Sequence, residues 1–357
     1  VPDKTIMHHA SLYTKLDSRR AQCRVCLRRC TISEGSLGWC KTRLNKGGKI
    51  FSLTYGRVSS ITVSPVEVKP MFHFLPGSLW LSVGSVGCNF SCPGCQNWEI
   101  SHATPDIKGT YCVEGEDRML PTEYLAPEVL IEISHRERTD GLSFTYNEPT
   151  LWVEYAQRAM SLAKEAGLAT NWVTNGYLTS DALDYVGQGL DSFRVDIKGF
   201  SERTYRLIGG IADYREILEA VKRARHRWGM HVELVTNIIP GVNDDRGELT
   251  DLVRWIVRDV GADTPWHITR FVPHHDWAGY PETSTDALED IYRMAREEGL
   301  KYPYLGNVQG HPYENTVCPS CGELLIDRRA SGAEVRLADS ACPGCGTKIP
   351  GRFEHKK

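Results

Sequence analysis

Between residues 76 and 306 the chain alternates short β-rich runs with amphipathic helical runs six times, and this constrains its fold more than any other feature. The strand candidates are residues 78–85, 141–146, 170–174, 191–196, 231–239 and 265–271. The helical candidates are about residues 127–137, 151–166, 180–188, 212–228, 246–259 and 284–299. In 151–166, Leu151, Tyr155, Ala159 and Leu162 recur at helical period and share one face. Such repetition builds a parallel sheet covered by helices. Right-handed crossovers then curl it into a partial (β/α)6 barrel of α/β class. The competitor is a doubly wound open sheet. No Gly-x-Gly-x-x-Gly turn follows the first strand, which weakens a dinucleotide-binding reading.

The alternation leaves two flanks, so three units are expected: residues 1–75, 76–306 and 307–357. At 41% hydrophobic and 24% charged residues, 357 residues can build a large core with small satellites. A net charge of −3 gives no global drive toward nucleic acid or an acidic membrane surface. Arg19, Arg20, Arg24, Arg28 and Arg29 are the densest basic cluster, for which a solvated face is a simpler reading than a phosphate-binding patch. Nucleic acid is therefore not indicated as a partner. No run approaches the ~18 apolar residues that span a bilayer. Val1-Pro2-Asp3-Lys4 lacks the apolar core of a secretory signal. A cytoplasmic location without a membrane partner is expected.

Twelve cysteines fall into groups. Cys88, Cys92 and Cys95 lie in Gly87-Cys88-Asn89-Phe90-Ser91-Cys92-Pro93-Gly94-Cys95, directly after the first strand candidate. Three thiolates on one short loop can hold three corners of a [4Fe–4S] cluster and leave the fourth iron open for chemistry. The loop sits at the carboxyl end of a strand, the catalytic end of parallel α/β barrels. Three structural thiols, or zinc with a borrowed ligand, is the bland alternative. Cys318-x-x-Cys321 and Cys342-x-x-Cys345, twenty residues apart, read as a zinc ribbon. Cys23, Cys26, Cys30 and Cys40 are less standard: they suit zinc or an auxiliary [4Fe–4S] cluster, and their polar, charged setting favours zinc. Cys112 reads as an ordinary thiol. The loop 101–126 is long enough to cover a site beside the three-cysteine motif.

C-x-x-x-C-x-x-C after a first strand resembles the signature of radical S-adenosylmethionine (SAM) enzymes, most closely the pyruvate formate-lyase activating enzyme-like branch. Within it the chain resembles AmmeMemoRadiSam system radical SAM enzymes. The matching stretches include Cys26-Leu27 to Cys30, Gly35 to Cys40, Tyr55-Gly56, Lys69-Pro70, Phe72 to Gly77, Gln96-Asn97-Trp98, Thr145 to Thr150 and Tyr313 to Thr316. The resemblance implies a cluster whose open iron chelates SAM, and reductive cleavage of SAM to a 5′-deoxyadenosyl radical that abstracts a substrate hydrogen. It also implies a one-electron donor such as flavodoxin or ferredoxin, and Memo-like and AMMECR-like proteins as neighbours.

The resemblance also implies SAM contacts. Tyr146, Asn147 and Glu148 match a Gly-Gly-Glu-Pro-type element that meets the SAM ammonium, and Glu148 can accept from a cation. Asn147-Glu148-Pro149 equally fits a helix start with Pro at the first position. Thr174 and Asn175 match an element near the ribose, although an Asn-Gly turn is as good a reading. The Asp that precedes it in the activating enzymes, part of a cation site, is Val173 here. Asp196 and Lys198 share a side of the strand end and match an Asp-x-Lys beside the SAM carboxylate; a structural ion pair is the alternative. His275 matches the His of a Leu-Pro-x-His element, and Asn237 is a further candidate to face SAM. The family's aromatic before the third cysteine is replaced by Gly94, for which Phe90 or Trp98 could stand in.

A protein substrate, as for glycyl-radical activases, is the leading expectation. RNA or a small molecule is the second; the N-terminal segment offers few aromatics for base stacking, mainly Tyr13 and Trp39. A non-catalytic zinc adaptor is the third and predicts a chain without iron.

Overall fold

The computed structural model describes residues 7–105, 110–113, 115–116, 118–328 and 332–354. Val1 to Lys4, on which the reading of the N-terminus rests, lie outside them. The core is one eight-stranded sheet. Its strands are β1 (Ser60–Pro65), β2 (Leu79–Gly84), β3 (Gly141–Phe144), β4 (Ala169–Thr174), β5 (Ser192–Asp196), β6 (His231–Ile238), β7 (Trp266–Arg270) and β8 (Pro303–Gly306). They lie side by side in chain order. β2 to β8 are parallel, and β1 adds antiparallel to β2 at one edge. A doubly wound sheet would reverse this order partway; this one does not. All six expected strands form within one or two residues of the expected ends.

Crossover helices are α1 (Pro127–Arg136), α2 (Val153–Glu165), α3 (Ser180–Gly187), α4 (Glu202–Gly209), α5 (Arg215–Lys222), α6 (Arg246–Trp255) and α7 (Thr285–Glu297). Their starts are written in the sequence: Thr179, Ser201, Asp245 and Ser284 each accept from a first-turn backbone N–H. α4 was not expected, although Ser201 caps it and Gly210 closes it at φ 63°. β1 and β8 were also not expected: β1 is a partly exposed edge, and β8 has four residues and opens on Pro303.

Alternation sorts the sheet into two faces. Leu81, Val83, Leu142, Phe144, Trp172, Phe193, Val195, Val232, Leu234, Trp266 and Ile268 belong to the core shared with the helices. Each such side chain contributes about 1.5–3 kcal/mol by leaving water. Ser82, Ser143, Asn171, Ser192, Arg194, Asp196, Glu233, His267 and Thr269 occupy the alternate positions. This polar face is internally bonded: Asn171 donates to Ser143 (3.1 Å), and Ser192 donates to Asn171 (3.1 Å).

The segment from Val66 to Leu75 crosses the amino ends of the strands. Met71, Phe74 and Leu75 pack on Trp80 and Ala169. The backbone N–H groups of Phe72 and His73 donate to Glu233, which also pairs with His231 (2.9 Å) and His267 (2.6 Å). Residues of the C-terminal segment pack at this same end: Tyr302, Tyr304 and Phe72 share an apolar cluster with Leu325, Ile326 and Ile349. Within 101–126, the described residues include a small antiparallel sheet (Thr104–Pro105, Tyr111–Cys112, Met119–Leu120) rather than a plain loop. Its Tyr111, Val113 and Leu120 pack on Val86, beside the three-cysteine loop.

Candidate active site

The loop from Ser85 to Asn97 leaves the carboxyl end of β2. Asn147 holds its first part: Ser85 N donates to Asn147 Oδ1 (2.9 Å) and Asn147 Nδ2 donates to Gly87 O (2.9 Å). Asn97 holds the other end, donating to Tyr146 O (2.8 Å). Tyr146, two residues beyond β3, adopts φ 74°, an unusual conformation for an aromatic. Gly84 is required here, because a Cβ would lie 2.7 Å from Thr145 O.

Cys88, Cys92 and Cys95 are brought together by this loop. Burial pushes all three thiols up, Cys92 to about 12, and each also senses another cysteine of the loop or a nearby charge. Phe90 N approaches Cys88 Sγ at 3.3 Å and Asn175 Nδ2 at 3.7 Å, the N–H···S contacts that steady metal-bound thiolates. Three soft thiols on one loop, with donors aimed at sulfur, fit an iron–sulfur cluster.

The expected neighbours surround this loop. Glu148 is buried and accepts from Thr150 N (3.0 Å), Thr174 Oγ1 (2.7 Å) and Asn175 N (2.9 Å). It also caps the 3-10 turn Pro149–Trp152, as the helix-start reading expects. Burial raises its carboxyl, against the hydrogen bonds from Asn175 and Thr150. Asn175 Nδ2 reaches Asn89 Oδ1 at 2.7 Å, tying the ends of β2 and β4.

Asp196 pairs with Lys198 (3.4 Å) and with Arg194 (3.0 Å). Burial alone would raise Asp196; the Arg194 and Lys198 cations outweigh it and hold the carboxyl low. Burial opposes the Lys198 charge, but Asp196 and Cys92 outweigh it and raise the ammonium. Arg194 was not singled out from the sequence, although it alternates with Asp196 on one face. Lys69 was also missed as a site residue: it is buried, with its Nζ 4.7 Å from the Tyr146 ring centroid. Burial, with Arg194 nearby, lowers it to about 8.

His275 stacks on Trp98, three residues past Cys95, at 4.5 Å and 6°. Gly94 has a spatial reason: a Cβ there would lie 2.8 Å from Trp277 and 3.1 Å from Phe271. These two rings fill the space beside Cys95. Phe90 is instead buried against Tyr177 and Tyr205, and Trp98 is committed to His275. Asn237 accompanies Thr269 at the β6–β7 ends (3.4 Å).

The other two cysteine groups differ from each other. Cys318, Cys321, Cys342 and Cys345 have all four sulfurs within 4.8 Å, with Cys318–Cys345 and Cys321–Cys342 each at 3.6 Å. That is a four-cysteine metal site, and it fits a zinc ribbon. It lies at the amino ends of the strands, away from the Cys88 loop. Cys23, Cys26, Cys30 and Cys40 line one small cavity beside that loop.

This open parallel sheet, with three cysteines beyond its second strand, defines a class of protein. Residues 82–253 match the Radical SAM superfamily, and the chain belongs to it. Over its whole length it is similar to the Uncharacterized protein MJ0808 of Methanocaldococcus jannaschii: 36% identical over 346 residues, 96% of this chain and 99% of that protein. It is more distantly similar to the GTP 3′,8-cyclase of Tolumonas auensis, at 23% over 279 residues, 71% of this chain and 75% of that protein. Among solved structures, it is similar to a domain of pyruvate-formate lyase-activating enzyme from Bacteroides vulgatus (TM-score 0.38, 14% identity, 47% of this chain and 99% of that one). A radical SAM methyltransferase from Sphaerobacter thermophilus gives TM-score 0.48 and 16% identity over 65% of this chain and 67% of that one. Membership of the superfamily implies SAM and an iron–sulfur cluster. No helix among the described residues is long and apolar enough to cross a membrane.

Proposed function

We propose that the chain is a radical SAM enzyme in which Cys88, Cys92 and Cys95 ligate three irons of a [4Fe–4S] cluster. The observation that carries this is three half-buried thiols on one strand-end loop that holds no fourth cysteine. When bound, the cluster and SAM together supply reductive cleavage of the sulfonium and a 5′-deoxyadenosyl radical able to take hydrogen from a substrate.

The chain's own residues prepare that site. Phe90 N and Asn175 Nδ2 steady the Cys88 sulfur. Glu148 is a positioning residue that fixes Thr174 and Asn175, which face the SAM ribose. Asp196 and Lys198 face the amino-acid end of SAM, and Lys198 balances its carboxylate. His275, held flat on Trp98, lines the same pocket, and Tyr146 and Asn147 present the adjacent turn. Two cations, Arg194 and Lys198, pair with Asp196, and a third, Lys69, lies near Arg194. That balance supports a substrate carrying an anionic group, which a protein or a small molecule could supply.

The finer placement in the AmmeMemoRadiSam branch of activating-enzyme-like proteins rests on the motifs from Cys26 to Thr316. It brings Memo-like and AMMECR-like proteins, and flavodoxin or ferredoxin as electron donor, as candidate partners. The C-terminal four-cysteine site is assigned to zinc, for its 3.6 Å sulfur pairs.

The test is anaerobic reconstitution with iron and sulfide, then SAM and dithionite, with 5′-deoxyadenosine measured chromatographically. Release of 5′-deoxyadenosine that disappears in Cys92→Ala is expected. A loaded cluster that never yields it would refute the proposal.

A further inference from the structure

We infer that Cys23, Cys26, Cys30 and Cys40 hold a second [4Fe–4S] cluster, ligated by protein at all four corners, and not a zinc ion. The assignment goes beyond the proposed enzyme activity and stands without it.

The four cysteines are gathered by local structure. Strand Ala21–Cys23 pairs with Thr31–Ile32, and Cys23 N donates to Cys30 O (2.9 Å) across the intervening turn. Arg29 N closes that turn on Cys26 O (3.0 Å), and Cys26 forms a β-bridge with Leu178 beyond β4. The four side chains line a single cavity together with Arg28 and Arg43.

Size separates the two occupants. One tetrahedral zinc draws its four thiolates to about 3.8 Å from one another, given Zn–S bonds of ~2.3 Å. The C-terminal ribbon of this chain meets that requirement, with its four sulfurs inside 4.8 Å. Among the described residues, no three sulfurs of the N-terminal group lie that close. A cubane places each thiolate on a different iron, so its ligand sulfurs stand roughly 6 Å apart. The N-terminal group therefore does not share the close, zinc-like packing of the ribbon.

The cavity wall agrees. Arg43 is buried; its Nη atoms are spent on Glu154 and Leu151 O, but its Nε has no hydrogen-bond partner. A buried donor without an acceptor is costly and calls for an explanation. Cluster sulfurs are acceptors for such N–H groups. The site also abuts the first loop. Arg28 Nε donates to Asn89 O (2.8 Å), and a Cβ on Gly87 would lie 3.2 Å from Cys40 O.

The test uses the whole chain with Cys88, Cys92 and Cys95 all changed to Ala, reconstituted anaerobically, with iron, sulfide and zinc counted per chain and circular dichroism confirming the fold. About four irons and four sulfides, as one cubane requires, are expected to remain, and to vanish when Cys23→Ala and Cys26→Ala are added. A folded triple variant without iron overturns the inference, whether it holds two zinc ions or one. The unmutated chain separates the two readings. About eight irons support both; about four before and after the triple change would refute the first cluster and leave the second standing.

Discussion

Removing one partner of the Arg43–Glu154 pair should destabilise the whole molecule. Both side chains are almost fully buried (1% and 2% exposed), and the guanidinium spans the carboxylate at 2.8 and 2.9 Å. Glu154 lies on α2 and Arg43 on the strand Arg43–Lys46, so the pair rivets that strand to the core. Ser11 N adds a third donor to Glu154 (3.0 Å). Glu154→Gln keeps the shape and one acceptor but strands a buried cation. Breaking such a pair costs about 3–5 kcal/mol. The retained acceptor argues for about 3 kcal/mol, roughly a 150-fold shift in the unfolding equilibrium. Urea unfolding followed by tryptophan fluorescence should show a lower midpoint at unchanged slope. The double variant R43M/E154M should recover most of the loss, because it leaves no charge unpaired. Burial alone would raise Glu154, but Arg43 outweighs it and the folded carboxyl is depressed. Its stabilisation is thus present above the ordinary carboxylate range and is lost as pH falls through the depressed value. Were E154Q to unfold within about 1 kcal/mol of the parent, or the double variant to be no better than the single one, the pair would not be the rivet described.

Lys69 is lowered to about 8, so between about pH 8 and its ordinary value the unfolded chain binds the extra proton and stability should rise with pH. Lys69→Met should remove that slope in pH-dependent melts, and an unchanged profile would contradict the burial of a charged lysine. Gly94→Phe should cost about 1–3 kcal/mol by driving a ring into Trp277 and Phe271. Adding Trp277→Ala should restore much of this in the same melt, and no rescue would place the clash elsewhere. Asn147→Ala leaves Ser85 N and Gly87 O without their partner, at about 1–3 kcal/mol each. It should lower iron retention after desalting while α2 remains folded by circular dichroism; full retention would remove Asn147 from loop positioning.

The sheet was legible because its strands read as apolar runs spaced by amphipathic helices, and burial on the helix side enforces that pattern. β1 and β8 escaped because an edge strand and a four-residue strand carry little periodic signal. α4 could have been found from the Ser201 cap and Gly210. The grouping of Cys88, Cys92 and Cys95 was legible because one short loop keeps its own residues near one another. Arg194 was less so: its importance depends on which charges Asp196 meets, and only the folded sheet decides that. Lys69 belongs to a segment whose place beside Tyr146 depends on long-range packing. The choice between zinc and a cubane at Cys23 to Cys40 likewise lies in sulfur separations, on which linear spacing is silent.

The Val66–Leu75 segment, locked onto Glu233 by two backbone donors, closes the amino end of the sheet from beneath. Among the described residues, the polar face of the sheet is thereby covered at its amino end, and the carboxyl ends of the strands, where the Cys88 loop lies, are left for ligands to approach. Should SAM and a substrate both use that approach, the one that binds deeper would enter first and depart last. Compulsory-order kinetics, with the outer ligand trapping the inner one, are the signature such a shared entrance would leave.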